Sequence, residues 1–275
     1  MSFYKTYKPS SVVCSFVREF EVYHANWNID TLLPQPFITC LANTTQGLYF
    51  YLNDIVKVVP AAQLEIPAPP IVVTGPKTKP IGLLFGSDHL MVKATFQPTG
   101  LYRLLGIDMR TTANKGLDAV TFWGDEIKHV SETLRLVNGY DQMKETLSAF
   151  LETKIRSSVR AEEPIDRTAI KMLDPQMHRS LTEWADDACL SLRQFERNFT
   201  MRVGLSPKLF IRIVRFENAM AIKNAAADKS WSQIALECGY TDSSHLLREF
   251  NEFAEFPPSK FYLHPTSGHS DFPTG

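Results

Sequence analysis

Cysteine is scarce in this 275-residue chain. The four residues, Cys14, Cys40, Cys189 and Cys238, are too few and too scattered for a disulfide framework, and a reducing compartment is expected. Net charge is almost absent, since 29 Lys and Arg face 30 Asp and Glu. The global basic field that usually marks a nucleic-acid binder is therefore missing, and any such role must come from local charge placement. No uncharged apolar run reaches the roughly 18 residues of a membrane span, and MSFYKTYKPS lacks the apolar stretch of a secretion signal. The expectation is a cytoplasmic chain with no membrane partner. Phosphate-cradling glycine loops, a nucleophile elbow and His-x-His pairs are also missing. His24, His89 and His129 have no acidic partner at ligand spacing, so no metal, no cofactor and no enzymatic activity are expected.

What is present is an ordinary globular composition, 44% apolar and 21% charged, with length for about two domains. From residue 11 to about 123 short apolar or alternating runs are cut by turn residues: SVVCSFV, PFITCLAN, GLYFYLN, IVKVV, IVVTG, IGLLFG, HLMVKATF and LYRLLGI. These read as strands, and nine of the 17 prolines, from Pro34 to Pro98, punctuate them. The expectation over residues 1–124 is a β-rich domain, sandwich or barrel-like. Cys14 and Cys40 fit small core positions in it. Lys77, Lys79, Lys93 and Arg103 could bind an anionic ligand, but scattered surface charge is the expected account.

After Gly124 the period becomes helical. Ile127, Val130, Leu134 and Val137 precede a turn at Asn138 and Gly139, and Met143, Leu147, Phe150, Leu151 and Ile155 follow. Residues 125–158 thus predict a helical hairpin, which either caps the sheet or joins two subunits through its free face, leaving a homodimer open. The polar RSSVRAEEP, residues 156–164, supplies a linker, placed at 159–165.

The last hundred residues contain a repeat. SLTEWADDACLSLRQFERNF, residues 180–199, matches SWSQIALECGYTDSSHLLREF, residues 230–250, at an offset of 50 that becomes 51 after the turn. Each copy reads as helix, turn, helix. Ser180 with Glu183, Ser191 with Gln194 and Ser230 with Gln233 are capping-box pairs, and Asp242 can cap the fourth helix. Ala185 and Ala235 fall where the helices of a unit approach closely, Phe195 with Phe199 and Leu246 with Phe250 are i, i+4 anchors, and Cys189 and Cys238 lie at the turns, where tight packing is expected. Between the copies Ser206 and Pro207 start a helix running to about Ala226, with Lys208, Arg212 and Arg215 at i, i+4 and i+7 on one face. Next to two helix-turn-helix units that stripe reads as phosphate-facing.

LSLRQFERNF, VGLSPKLFIRIVRF, IALECGY and DSSHLLREF closely resemble the DNA-binding domain of AraC/XylS-type bacterial transcription regulators, over roughly residues 166–265. The resemblance implies seven helices, with two helix-turn-helix units held by a long central helix, and double-stranded DNA as partner. It implies in turn that residues 1–124 are similar to sensor or dimerisation domains, with a small-molecule effector as a further partner. One departure is Glu255, where glycine commonly follows the last recognition helix. Helical spacing from Phe195 and Phe199 puts Arg193, Glu196 and Arg197 toward base edges, with Gln194 near the rim; the equivalents in the second helix are Ser243, Ser244, Leu247 and Arg248. Leu247 could touch a thymine methyl, though packing against Phe250 or Phe253 is the stronger expectation. Residues 166–217 hold 9 basic and 7 acidic side chains and residues 218–265 hold 4 and 6, so the first unit supplies most of the favourable field. Residues 266–275 read as a flexible tail. The rival readings are an enzyme on the β domain, or a β domain that only dimerises.

Overall fold

The computed structural model describes residues 3–27, 37–59, 64–157 and 160–263. The expected tail at 266–275 and residues 158–159 of the linker lie outside them. The N-terminal strands are β1 (Phe3–Tyr7), β2 (Val17–Asn26), β3 (Phe37–Cys40), β4 (Gln46–Tyr51), β5 (Lys57–Val59), β6 (Ile66–Pro67), β7 (Ile71–Thr74), β8 (Ile81–Leu84), β9 (Asp88–Phe96) and β10 (Gly116–Asp118). They form two antiparallel sheets, ordered β1-β2-β9-β4-β7-β10 and β3-β8-β5-β6. Strand alternation divides the core in two. Phe20 and Val22 of β2 join Val92 and Ala94 of β9 on the outer face of the larger sheet, while Tyr23, Ala25 and Met91 point between the sheets. The domain is a β-sandwich.

Two strand readings are corrected. Residues 11–16 of SVVCSFV form turns, with Phe16 and Val17 amides donating to Val13 O at 2.9 and 2.8 Å. LYRLLGI holds a helix, α1 (Gly100–Leu105), ended by Gly106 in the left-handed region at φ 73°. Both are short apolar runs, whose helical or extended state depends on tertiary context rather than periodicity. Cys14 is exposed, contrary to expectation, whereas Cys40 is buried.

The hairpin consists of α2 (Val120–Leu136) and α3 (Tyr140–Arg156). Ile127, Leu134, Met143, Leu147, Phe150 and Leu151 are buried against the outer face of the larger sheet, in one core with Phe20, Phe50 and Phe96. The apolar stripe therefore caps the sheet. Its solvent side carries Asp125, Glu126, Lys128, Glu132 and Arg135, with Leu136 as a large exposed apolar residue.

The C-terminal elements are α4 (Pro164–Lys171), α5 (Leu181–Asp187), α6 (Leu192–Val203), α7 (Pro207–Ala225), α8 (Trp231–Glu237) and α9 (Ser243–Ala254), followed by a 3-10 segment, Pro258–Leu263. The two helix pairs, α5–α6 and α8–α9, pack on α7, and the copies use equivalent residues. Ala185 and Ala235 are both buried, Phe199 meets Phe210 of α7 at 5.3 Å between ring centroids, and Phe250 meets Phe216 at 5.8 Å. Truncating such a buried phenylalanine to alanine costs about 3–5 kcal/mol. At the end of α7 the buried Lys223 ammonium donates to Ala227 O and Lys229 O at 2.6 and 2.7 Å, holding the turn that leads from α7 to α8.

The two halves share contacts. The β3–β4 loop sends Leu41 and Ala42 into the C-terminal core. There the Ala42 amide donates to Phe253 O of α9 at 3.3 Å, Thr44 Oγ1 donates to Glu217 of α7 at 2.8 Å, and Gln46 Nε2, fully buried, donates to Val203 O of α6 at 3.0 Å and to Pro98 O at 2.6 Å. The β3–β4 loop and the first residue of β4 thus touch the ends of α6 and α9 and the helix between them. Residues 160–163 are likewise tied down: Glu162 lies 3.6 Å from the Arg103 guanidinium, and Glu163 caps α4 in a capping box with Asp166.

Candidate nucleic-acid interface

Three hydroxyls start the helices as the sequence predicts. The oxygens of Ser180, Ser191 and Ser230 accept from the amides of Glu183, Gln194 and Gln233, and those side chains reach back to the serine amides. Asp242 accepts from the His245 amide at 2.8 Å and caps α9 alone. Each cap contributes about 1 kcal/mol, and those of Ser191 and Asp242 fix where α6 and α9 begin.

On α6, Arg193, Glu196 and Arg197 are exposed along one face, opposite the buried Phe195 and Phe199. The Gln194 carboxamide is occupied in the cap, accepting from Ser191 N at 3.1 Å and Ser191 Oγ at 2.7 Å. On α9, Ser244 and Arg248 are exposed and Ser243 is half-buried. Leu247 is 36% exposed while its neighbour Leu246 is fully buried, so the packing expected for Leu247 belongs to Leu246. His245 is structural, with its ring edge-on to Tyr240 at 5.2 Å and Nε2 3.5 Å from Glu249. Among the described residues Arg193, Arg197 and Arg248 make no ion pair, and their guanidinium groups stay available for an external acceptor.

The basic stripe on α7 is divided. Lys208 is exposed at the start of the helix and unpaired among the described residues. Arg212 and Arg215 turn toward α9 instead, where both reach the buried Glu249, Arg212 Nε at 2.8 Å and Arg215 at 2.9 Å, and Arg212 also reaches Glu252 at 2.5 Å. Hydrogen bonding to Glu252 and Glu249 holds the Arg212 guanidinium above its ordinary pKa. Burial, with the Glu249 charge beside it, pushes the Tyr240 hydroxyl up as well. Sequence reasoning missed this cluster. The signal was an acid, Glu249, inside the apolar stripe Leu246, Phe250 and Phe253.

The first unit has its own missed pair, Arg202 on α6 with Asp166 on α4 at 3.0 Å, both buried, and Glu163 at 2.6 Å. The turns differ from expectation in detail. Cys238 is packed, and burial pushes its thiol up to about 11, but Cys189 is exposed with a left-handed φ of 55°.

In the β domain His24 meets Asp88 at 2.7 Å and His89 meets Asp54 at 2.9 Å, partners that sequence spacing did not show. Among the described residues no three His, Cys, Asp or Glu side chains gather as metal ligands, and no helix is long and apolar enough to cross a membrane. A cavity of about 310 Å³ lies between the two sheets, walled by Tyr49, Tyr51, Val72, Ile81 and Leu83 among others.

A family model described as a helix-turn-helix domain matches residues 184–262. An uncharacterised HTH-type transcriptional regulator of Haemophilus influenzae is 31% identical over 87 residues, which is 32% of this chain and 29% of that protein. The chain therefore matches less than a third of its curated relative's length. Among solved structures, ToxT from Vibrio cholerae aligns at 13% identity over 96% of this chain and 99% of its own, with a TM-score of 0.48. The AraC-like transcriptional activator CuxR aligns at 10% identity over 90% of this chain and 80% of its own, with a TM-score of 0.18. Residues 184–262, which hold two helix pairs packed on one central helix, are a helix-turn-helix domain.

Proposed function

We propose that this protein is a sequence-specific DNA-binding transcription regulator whose N-terminal sandwich adjusts the DNA reader rather than catalysing a reaction. The carrying observation is the pair of recognition helices, α6 and α9, each capped at its start and each presenting an unpaired arginine beside its first turns. A recognition helix reads base edges with residues near its N-terminus, where arginine forks onto guanine and glutamate accepts from cytosine. Arg193, Glu196 and Arg197 fill that role on α6, and Ser243, Ser244, Leu247 and Arg248 on α9. With α7 between them, the units enter successive major grooves about one helical turn apart, and one chain reads an asymmetric site.

Adjustment follows from the β3–β4 loop. Its hydrogen bonds to α7 and α9, with that of the adjoining Gln46 to α6, mean that a change in its position moves the ends of both recognition helices. A ligand in the sandwich acts by favouring one loop position over another, and must bind that state more tightly to have any effect. Selection of binding sites from random duplex DNA with the full chain tests the reading. A bipartite site with two conserved blocks about a helical turn apart is expected; absence of any preference over random DNA refutes it.

A further inference from the structure

Of the four cationic residues in the β domain that read as scattered surface charge, Lys79 alone is exposed; Lys77, Lys93 and Arg103 are buried. Another group of side chains, in the C-terminal half, has no part in reading DNA. A cavity of about 200 Å³ lies between the α4–α5 loop, α5 and α7, and Met172, Met177, His178 and Trp184 are in its wall. The loop gathers them by folding back on itself. The Met177 amide donates to Asp174 O and the His178 amide to Gln176 O, both at 3.1 Å, so the end of the loop returns beside Met172 at the end of α4. Met172 is buried in the core with Trp184, but Met177 is 45% exposed and its packing does not account for it. The exposed His178 imidazole has no hydrogen-bond partner among the described residues. It rests on the turn of the second unit, where a Cβ added to Gly239 would come within 2.9 Å of the ring.

No His, Cys, Asp and Glu side chains gather in threes among the described residues, but thioethers are a separate class of donor. Their sulfur is neutral and polarisable, so it selects soft ions such as Cu(I) over the hard cations that carboxylates hold. A neutral imidazole is compatible with the same ion. The charges around the cavity favour a monovalent ion over a divalent one. Arg179 and Arg215 also line it, each paired with an acid outside the wall, Arg179 with Asp187 at 3.4 Å and Arg215 with Glu249 at 2.9 Å, and Asp174 is the one acid within it. A second positive charge on the ion would be repelled by both guanidinium groups. We propose that Met172, Met177 and His178 bind Cu(I) through two thioether sulfurs and one imidazole nitrogen, with Trp184 beside the ion. The site stands at the joint of the two helix-turn-helix units, because its imidazole ligand belongs to the loop before the first and lies against the turn of the second.

The test is titration of the full chain with Cu(I) under anaerobic conditions, against a chromophoric chelator, and with Ag(I), which has the same softness and charge without redox chemistry. The chain carries Cys14→Ser and Cys189→Ser, because exposed thiols would compete for either ion. Methionine methyl resonances report the site directly. Of the eight methionines, Met172 and Met177 should shift on addition of one equivalent of Ag(I), and tryptophan emission should fall as Trp184 is quenched. Met177→Leu and His178→Phe, both on the exposed loop, should each weaken Cu(I) binding by about 100-fold or more, beyond the roughly 10–100-fold that loss of an outer partner costs. Met172→Leu nearly conserves volume in the core and should do the same; if it does not fold, the shift of the Met172 methyl in the parent chain tests that ligand. Zn(II) should leave both methyls in place. Resonances of Met172 and Met177 unmoved by Ag(I) and Cu(I), undiminished affinity in Met177→Leu or His178→Phe, or shifts with Zn(II) equal to those with Ag(I) overturn the proposal. The titrations contain no DNA, so they stand whichever way site selection falls.

Discussion

The two helix-turn-helix units share a backbone plan and differ in almost everything that their recognition helices expose to solvent. The first presents two unpaired arginines on α6, with Lys208 at the start of α7, and keeps its buried ion pair, Arg202 with Asp166, at the far end of the recognition helix. The second presents serines, Leu247 and one arginine on α9, and draws Arg212 and Arg215 inward onto Glu249. Basic charge is thus spent outward in one copy and inward in the other. On the proposed reading the first unit makes the stronger electrostatic contact with DNA. The second is tied to α7 through Arg212, Arg215 and Glu249.

The largest separation between the copies is expected from their buried acids. Asp166→Asn takes away the buried partner of Arg202 and leaves it only the more exposed Glu163, a loss near the lower end of about 3–5 kcal/mol. Glu249→Gln leaves Arg212 with Glu252 and Arg215 without a partner acid, and both are partly in solvent, so about 2 kcal/mol is expected. Urea denaturation of the two variants measures the difference. In a DNA footprint Glu249→Gln should lose protection at the second block first. A larger loss of stability for Glu249→Gln than for Asp166→Asn would mean that the second unit carries the tighter electrostatic anchor.

Next come the reading residues. Arg193→Ala and Arg197→Ala should each relax preference at particular base pairs in the first block and cost about 1–3 kcal/mol of binding. Arg248→Ala should act on the second block, with the smaller effect on affinity. Unchanged base preference in Arg197→Ala removes that residue from the reading set, and an Arg248→Ala loss exceeding both would reverse the order of the units.

The α7 stripe separates the copies more finely. Lys208→Ala should weaken binding to all sequences alike and reduce the salt slope by about 1, the signature of one lost phosphate contact. Arg212→Ala should leave the slope in place and lower the thermal midpoint instead, because its charge is already paired with Glu249 and Glu252. Equal changes of slope in the two variants would show that Arg212 leaves Glu249 when DNA binds.

Most of what was legible in the sequence was local. The capping boxes, the Pro207 start of α7 and the Phe195, Phe199, Leu246 and Phe250 anchors are set by neighbours within one or two turns, and each lies where the spacing put it. The sandwich was legible as a class, because alternation of apolar residues survives any pairing of strands. What escaped were interactions closed by the fold. Arg212 and Arg215 read as a solvent stripe because their acid lies 37 and 34 residues away on another helix. Lys77 read as surface charge because its burial depends on two sheets and the segment around Asn114, which no single stretch of sequence reveals. The helix α1 read as a strand because six residues are too few to show a period.

The smallest expected effect is also the cleanest comparison, since it concerns backbone strain alone. Each unit needs two residues in the left-handed region, one in its turn and one after its recognition helix. The first unit has Cys189 at φ 55° in the turn and Gly204 at φ 91° after α6; the second has Gly239 at φ 69° and Glu255 at φ 58° after α9. Glycine therefore relieves opposite ends of the two copies. A side chain in that region is disfavoured by about 1–2 kcal/mol, partly offset by the greater freedom that glycine loses on folding, about 0.5–1 kcal/mol. Glu255→Gly and Cys189→Gly should each raise stability by roughly 0.5–1 kcal/mol, additively, since they lie in different units. The reverse change should not be symmetric. Gly204→Ala adds the strain and also places a Cβ 2.7 Å from Met109 O of the β domain, so its loss should exceed either gain. Thermal midpoints of the three variants measure this directly. A Gly204→Ala protein as stable as wild type would mean that the contact between α6 and the Met109 segment is loose in solution, and would loosen with it the route from the sandwich to the first recognition helix.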